Sequence, residues 1–245
     1  MSDMALNYLP SVKGELANEM LEITKGLMSP FKVKDPISAL THFIGCMMAI
    51  FSMPLLLIHA SLRAADFLSL VSLAVFMMSM ILLYAASASY HTFCVSKKAN
   101  GVLKRLDHGM IFILIAGSYT PVCLIALRYQ GGPSLLLLVW AIALAGIFLK
   151  LFYVYCPRWV SSVIYIGMGW SCLLRMKAIW MSLSMSSFLW LLFGGLFYTI
   201  GGVIYSMHLK CLENCPHGFG SHELFHLFVM AGSICHFICM YQLCG

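Results

Sequence analysis

The sequence predicts an all-α, polytopic membrane protein, a bundle of seven transmembrane helices, from its composition and the spacing of its charges. Of 245 residues, 61% are hydrophobic and only 10% are charged. A soluble domain has about a quarter charged residues, so this chain could not cover a globular surface with polar groups. The same figures exclude a disordered chain and a nucleic-acid-binding protein. Seven stretches free of Asp, Glu, Lys and Arg each approach the roughly 20 apolar residues that cross a bilayer.

The charge-free stretches define the elements in order. Residues 1–37 are polar and are predicted to form a cytoplasmic N-terminal segment, with a weak amphipathic helix at 17–28. They lack the basic start and short apolar core of a cleavable signal peptide. Residues 38–245 are predicted to form the transmembrane domain. Its helices are expected at residues 38–60, 68–92, 108–127, 134–155, 160–181, 187–207 and 223–243.

The boundaries of these helices follow from the residues between them. The first two are separated by Arg63 and Asp66, and the third begins where the charged run 97–107 ends. Arg128 separates the third from the fourth. Arg175 and Lys177 interrupt the fifth, so they must extend toward the membrane surface or stand at its end. The serine-rich stretch 182–187 then serves as the turn into the sixth.

The distribution of Lys and Arg predicts the orientation, because loops rich in these residues stay in the cytoplasm. With the N-terminus inside, eleven of the 15 Lys and Arg residues fall in inner segments and four in outer segments. The four outer residues are Arg63, Arg128, Arg175 and Lys177. We therefore predict that the N-terminus is inside and the C-terminus outside.

Ionisable side chains within membrane segments indicate candidate functional sites. His91 ends the second predicted helix, Asp107 opens the third, and His222 and His226 lie in the first turns of the seventh. Because the second helix runs opposite to the other two, these four residues meet at one membrane face. Reversing the orientation would move all four together, so their convergence does not depend on the charge bias.

The spacing of these histidines is typical of a metal site. His222 and His226 stand at i and i+4, so both rings project from one helical face, and His91 would supply a third nitrogen. Three His ligands with an open fourth position form a catalytic Zn²⁺ arrangement, in which the bound water has a pKa of about 7. Asp107 is placed to hold that water or act as general base. Ser87, one turn before His91, is placed to orient a ligand or a substrate.

Two of these residues keep a second interpretation. Glu223 completes the H-E-x-x-H motif of zinc metalloproteases between His222 and His226, but it also suits the start of a helix, where an acid is favourable. Ser87 lies in a run of small residues, where it could simply pack.

The remaining polar groups of the membrane segments favour structural roles. His42, His208 and His236 are expected to form hydrogen bonds between helices. His236 lies about 15 Å deeper along its helix than the His pair, so it cannot share their metal. Cys211 and Cys215 share an inner loop and are expected to be reduced.

Several runs of residues resemble the hemolysin III family, the bacterial arm of the progestin and adipoQ receptor (PAQR) superfamily. The resemblance extends from about Asp35 to near the end of the chain, with the motifs in the family's order. The runs are Ser87-Ala-Ser-Tyr-His91, Leu106-Asp107-His108-Gly109, Ala116-Gly-Ser-Tyr-Thr-Pro121, Ser221-His-Glu-Leu-Phe-His226 and Met230-Ala-Gly-Ser-Ile-Cys-His236-Phe.

The resemblance implies seven helices with the N-terminus inside and a zinc ion near the cytoplasmic side of a bacterial inner membrane. It implies His91, His222 and His226 as zinc ligands. It also implies that Asp107 reaches the metal through water and that Ser87 is the family's serine. The family often has E-x-x-N-x-x-[ST]-H in its first helix. Here Asp35 and Ser38 replace the Glu and Asn, while His42 is kept.

Three functions are compatible with these residues. The first is a zinc-dependent hydrolase of amide bonds in lipids, since alkaline ceramidases are similar in layout, with a lipid amide or a free fatty acid in the membrane as its partner. The second is a non-enzymatic receptor, sensor or cytolysin with structural zinc. The third is an intramembrane metalloprotease that uses Glu223 as its base. The third is disfavoured, because such proteases usually carry H-E-x-x-H before the metal-binding Asp, and here the order is reversed.

Overall fold

The protein is a bundle of membrane-length helices in a computed structural model, which describes residues 33–207 and 219–244. These residues contain no β-strand. Their helices are α1 (Pro36–Leu62), α2 (Phe67–Thr92), α3 (Lys97–Pro121), α4 (Gly132–Phe152), α5 (Arg158–Gly169), α6 (Met176–Ser182), α7 (Met185–Met207) and α8 (Ser221–Leu243). A π-helical turn, Val122–Ala126, extends α3. The all-α membrane fold class is thereby confirmed.

Six helices within the described residues are long and apolar enough to cross a membrane: α1, α2, α3 with its π-helical turn, α4, α7 and α8. Five of them match predicted helices to within three residues at either end. The count of seven spans, the N-terminal segment 1–37 and the orientation remain predictions. The predicted helix 17–28, His208, Cys211 and Cys215 lie outside the described residues.

The fifth predicted helix is interrupted. Between α5 and α6 the chain forms a 3₁₀ turn, Trp170–Arg175. The side chain of Tyr119 on α3 enters this break: its hydroxyl donates to the carbonyl of Gly169 and accepts from the backbone N–H of Cys172 at 2.8 Å. Irregular backbone inside a membrane bundle needs partners of this kind, because other protein groups must replace the lost helical hydrogen bonds.

The third helix begins earlier than the sequence predicts, and Asp107 does not open it. α3 starts at Lys97, where the Ser96 hydroxyl caps the helix by accepting from the N–H of Ala99 at 3.2 Å. The charged residues after Lys97 are therefore helical, since a good cap starts a helix whether or not its first turns are apolar. Asp107 lies in the third turn and is buried.

The packing of these helices positions the candidate site. α8 packs along α7 and also contacts α1, while α2 packs between α1 and α3. The end of α2 and the start of α8 therefore meet beside α3. α4 covers the other side of α3, and α5 packs on α7.

Candidate metal centre

Three histidines from two helices meet at one end of the bundle. His91 lies in the last turn of α2, and His222 and His226 lie in the first two turns of α8. One ring nitrogen from each of the three lies within 4.8 Å of the other two. The Nε2 atoms of His91 and His222 are 3.0 Å apart. The structure thus brings together the residues that the spacing singled out, across 131 positions of sequence.

The donor set fits Zn²⁺. With Zn–N bonds of about 2.0–2.1 Å, tetrahedral geometry places ligand nitrogens roughly 3.3 Å apart, a separation close to that of His91 and His222. His91 and His226 are buried and His222 is half-buried, so bulk water competes weakly for the nitrogens. Imidazole nitrogen is a preferred zinc ligand, and three of them leave a fourth position for water or substrate.

Asp35 orients the first of these histidines. His91 Nδ1 donates to the Asp35 carboxylate at 2.8 Å, which leaves Nε2 directed at the other two rings. The Asp35 backbone N–H also donates to the His91 carbonyl at 2.9 Å. A carboxylate behind a ligand imidazole fixes its tautomer and raises its basicity. Asp35 stands where the family often has Glu, and it therefore keeps a carboxylate beside the three histidines.

The second departure, Ser38, binds Glu223. The Ser38 hydroxyl donates to one oxygen of the Glu223 carboxylate at 2.8 Å, and the N–H of Gly220 donates to the other at 2.9 Å. Glu223 thus caps α8 and ties it to α1. Because each of its oxygens accepts one of these hydrogen bonds, the geometry favours a capping role for Glu223 over that of a metalloprotease base.

Asp107 and Ser87 face the same space as the ligands. Both are buried, and both line a cavity together with His222 and His226. The structure therefore places an acid and a hydroxyl beside the three histidines, although Asp107 reaches this position from inside α3 rather than from its end.

His42 contributes a contact that sequence reasoning did not predict. Its ring stacks on that of His226, with centroids 3.6 Å apart and planes 8° from parallel. The rings of Tyr84 and His42 meet edge to face at a centroid distance of 5.1 Å. His42 thus supports the orientation of a ligand histidine. The i, i+4 spacing identified His226, but no local pattern indicates a ring stacked on it from another helix.

The cavity extends from the histidines along the bundle. It encloses about 1620 Å³ of space free of protein atoms, including the part that opens to the outside. His222 and His226 line one end, and His236, farther along α8, lines a deeper part. Between them the wall is mainly apolar and includes Leu83, Ile111, Leu114, Ile166 and Leu192. Its length, roughly 20 Å by the rise of α8 from His222 to His236, suits an extended hydrocarbon chain.

His236 lies apart from the three histidines, as its position in the sequence predicts. It packs over Gly194 of α7, and its ring meets the ring of Tyr198 edge to face at 5.2 Å. It therefore lines the cavity without joining the metal centre.

Comparison with known proteins identifies close relatives over most of the chain. A sequence model of the family described as Haemolysin-III related matches residues 32–237. The chain is 35% identical over 215 residues to the Hemolysin-3 homolog of Bacillus subtilis (strain 168), covering 87% of this chain and 96% of that protein. It is 35% identical over 213 residues to Hemolysin-3 of Bacillus cereus, covering 87% and 93%.

A shorter similarity reaches a eukaryotic protein. The chain is 36% identical over 81 residues to the ADIPOR-like receptor IZH2 of Saccharomyces cerevisiae (strain ATCC 204508 / S288c), covering 31% of this chain and 24% of that protein. The family match contains the three histidines, Ser87 and Asp107.

Proposed function

This chain belongs to the haemolysin-III-related family of multi-pass cell-membrane proteins, and on that premise we propose that it is a zinc-dependent hydrolase of an amide bond in a membrane lipid. The observation that carries the proposal is a cavity lined at one end by His222 and His226, two members of the three-histidine group, and along its length by apolar side chains. A purely structural zinc site needs the histidines alone. A hydrolase of a long-chain lipid needs both features, with an acid between them.

The chemistry assigns a role to each residue. His91, His222 and His226 would hold a Zn²⁺ ion, which would supply a water of lowered pKa and would polarise a carbonyl oxygen. Asp107 accepts the proton of the attacking water and returns it to the leaving amine. The Ser87 hydroxyl donates a hydrogen bond to the carbonyl oxygen as negative charge develops there. The apolar wall holds the acyl chain. Water adds to the carbonyl carbon and the C–N bond breaks, so that the products are a free fatty acid and an amine.

The access route suits this substrate class. A lipid amide resides in the bilayer, and its carbonyl lies near the membrane–water boundary with the acyl chain directed inward. The histidines lie at the end of the bundle and the apolar channel runs inward from them, which matches that arrangement. Binding of the chain along the channel would position the carbonyl before the reaction begins.

The decisive experiment uses the Asp107→Asn variant of the purified protein. We expect it to retain zinc, because the three nitrogen ligands remain, and to fold, because Asn is nearly isosteric with Asp. Its turnover of a long-chain N-acyl lipid should fall by roughly 10²–10⁴-fold, the usual contribution of a positioned general base. Metal analysis and release of fatty acid from a ceramide give the two readouts.

Two further variants control this measurement. The double variant His222→Ala, His226→Ala should lose both zinc and turnover, whereas Glu223→Gln should retain both, because Glu223 caps α8. Unchanged turnover in Asp107→Asn would remove the general-base role. Absence of turnover on every lipid amide by the zinc-loaded wild type would favour a receptor or cytolysin with structural zinc.

A further inference from the structure

A second polar cluster lies where α4 meets α5, outside the metal centre. Lys150, in the last turn of α4, is only 1% exposed. Its ammonium group donates to the sulfur of Cys156 at 3.1 Å and to the hydroxyl of Ser161 at 2.5 Å. The Cys156 sulfur and the Ser161 hydroxyl are 3.4 Å apart. A buried lysine, a half-buried cysteine and a buried serine therefore contact one another.

The charge of Lys150 has no carboxylate to balance it among the ion pairs of residues 33–207 and 219–244. A buried ammonium is costly unless a negative group pairs with it. Lys104 and His108 on α3 lie within electrostatic range of Lys150, and Tyr165 and Tyr205 lie within electrostatic range of Cys156. None of these groups supplies a negative charge at neutral pH. Of the groups in contact with Lys150, the Cys156 thiol is the one that ionises near neutral pH.

The surroundings of Cys156 favour its ionised form. Partial burial opposes ionisation, but the hydrogen bonds from Ser161 and Lys150, together with the positive charge of Lys150, lower the pKa of the Cys156 thiol below its usual value. The residue lies in the link between α4 and α5 and is partly exposed to solvent. A thiolate stabilised by a cation and open to small solutes has the features of a reactive cysteine.

We propose that Cys156 is an oxidation site, where a thiolate paired with Lys150 reacts with hydrogen peroxide to form a sulfenic acid. The sulfur attacks one peroxide oxygen, an S–O bond forms and the O–O bond breaks. The sulfur loses two electrons, the peroxide gains them, and the departing hydroxide takes up a proton to become water. A thiol can reduce the product again. This site is independent of the proposed hydrolase activity.

The same chain offers a matched reference in Cys94. It is exposed just after the end of α2. Its sulfur contacts the Asn100 amide at 4.0 Å, whereas the sulfur of Cys156 contacts a lysine. Access alone would make Cys94 the faster of the two, since Cys156 is partly covered. A faster reaction at Cys156 therefore reports chemical activation rather than exposure.

The test treats the purified full-length protein with hydrogen peroxide at pH 6 and traps sulfenic acid with a dimedone reagent. Peptide mass spectrometry then gives the rates at Cys156 and Cys94. At this pH an ordinary thiol is almost wholly protonated, so we expect Cys156 to react roughly tenfold faster or more. Lys150→Met should remove the difference, while Ser161→Ala should reduce it only in part.

Two results would overturn the proposal. One is a rate at Cys156 no higher than at Cys94 in the wild type, and the other is an unchanged rate in a folded Lys150→Met variant. If Lys150→Met does not fold, the pH profile of iodoacetamide alkylation in the wild type decides. An inflection for Cys156 below that for Cys94 supports the Lys150 pairing, and coincident profiles contradict it.

Discussion

The role of Asp35 depends on its contact with His91, 56 positions away in the sequence. It stands before α1 as the N-cap residue, yet its carboxylate makes no capping hydrogen bond and instead accepts from His91 Nδ1. The carboxylate therefore serves the metal centre rather than its own helix. A carboxylate in this position fixes the tautomer and the orientation of the imidazole without contacting a metal itself.

We predict that Asp35→Ala weakens zinc binding by 10–100-fold, the usual cost of losing such a partner of a ligand histidine. The His91 ring would then be free to rotate and to change tautomer. Competition with a chelator of known affinity measures the effect. Asp66→Ala is the matched control, because Asp66 caps α2 and pairs with Arg128 at 2.6 Å away from the histidines. Equal affinities for the two variants would contradict the orienting role.

Sequence reasoning identified the three clustered histidines but not the residues that support them, for a physical reason. His222 and His226 share one helix, so their spacing carries the geometry directly. The partners Asp35 and His91 are 56 residues apart, and they meet only because the segment before α1 pairs with the end of α2. No local period encodes that pairing, and the same is true of the stack of His42 on His226.

At the scale of elements, α7 and α8 approach so closely that glycine is required on both. A Cβ added at Gly194 would overlap the ring of His236, and one added at Gly232 would lie 2.8 Å from the ring of Tyr198. Each added Cβ would also lie close to the backbone carbonyl of the opposing glycine, at 3.2 and 3.1 Å. Small residues at a helix contact are typical of membrane bundles.

We predict that Gly194→Ala lowers the free energy of unfolding by about 1–3 kcal/mol, the usual cost of overpacking. Gly195→Ala is the matched control, because a Cβ there meets no atom within 4 Å and the substitution raises helix propensity. Thermal unfolding in detergent should show a lower Tm for Gly194→Ala alone. If both variants kept the wild-type Tm, the close approach of α7 and α8 would be refuted.

The elements were predicted well where each follows from its own sequence and poorly where another element intervenes. The predicted helices agree with α1, α2, α7 and α8 to within two residues at either end. Arg175 and Lys177 indicate an interruption of the fifth predicted helix, but the hydrogen bonds of the Tyr119 hydroxyl from α3 to the backbone of the break have no local sequence signal. Charge-free stretches alone place the start of α3 too late, because the Ser96 cap permits charged residues in the first turns of the helix.

The orientation of the whole molecule depends on whether the interrupted stretch α5–α6 crosses the membrane. Six spans would return the C-terminus to the side of the N-terminus, whereas seven would separate the two. Arg175, at the break, lies 3.4 Å from the Ser134 hydroxyl at the start of α4. That contact places the break near the end of the bundle where α4 begins, which suits a crossing by α5.

We therefore predict that a green fluorescent protein fused after Gly245 stays dark in cells, because this reporter does not mature outside the cytoplasm. The same protein fused before Met1 should fluoresce. The expectation rests on the bias of Lys and Arg toward the inner segments. Fluorescence from the C-terminal fusion at wild-type expression would mean that the count of seven or the orientation is wrong.

The three histidines are divided between α2 and α8, and this division limits when a metal ion could bind during biosynthesis. His91 and its partner Asp35 leave the ribosome early, but His222 and His226 follow every other described helix. Since chains are made from the N-terminus, the nascent protein holds one oriented imidazole and no chelating pair until the end. If the three histidines bind zinc as we propose, zinc can load only after α8 has been made, and a chain stalled before α8 lacks two of the three ligands.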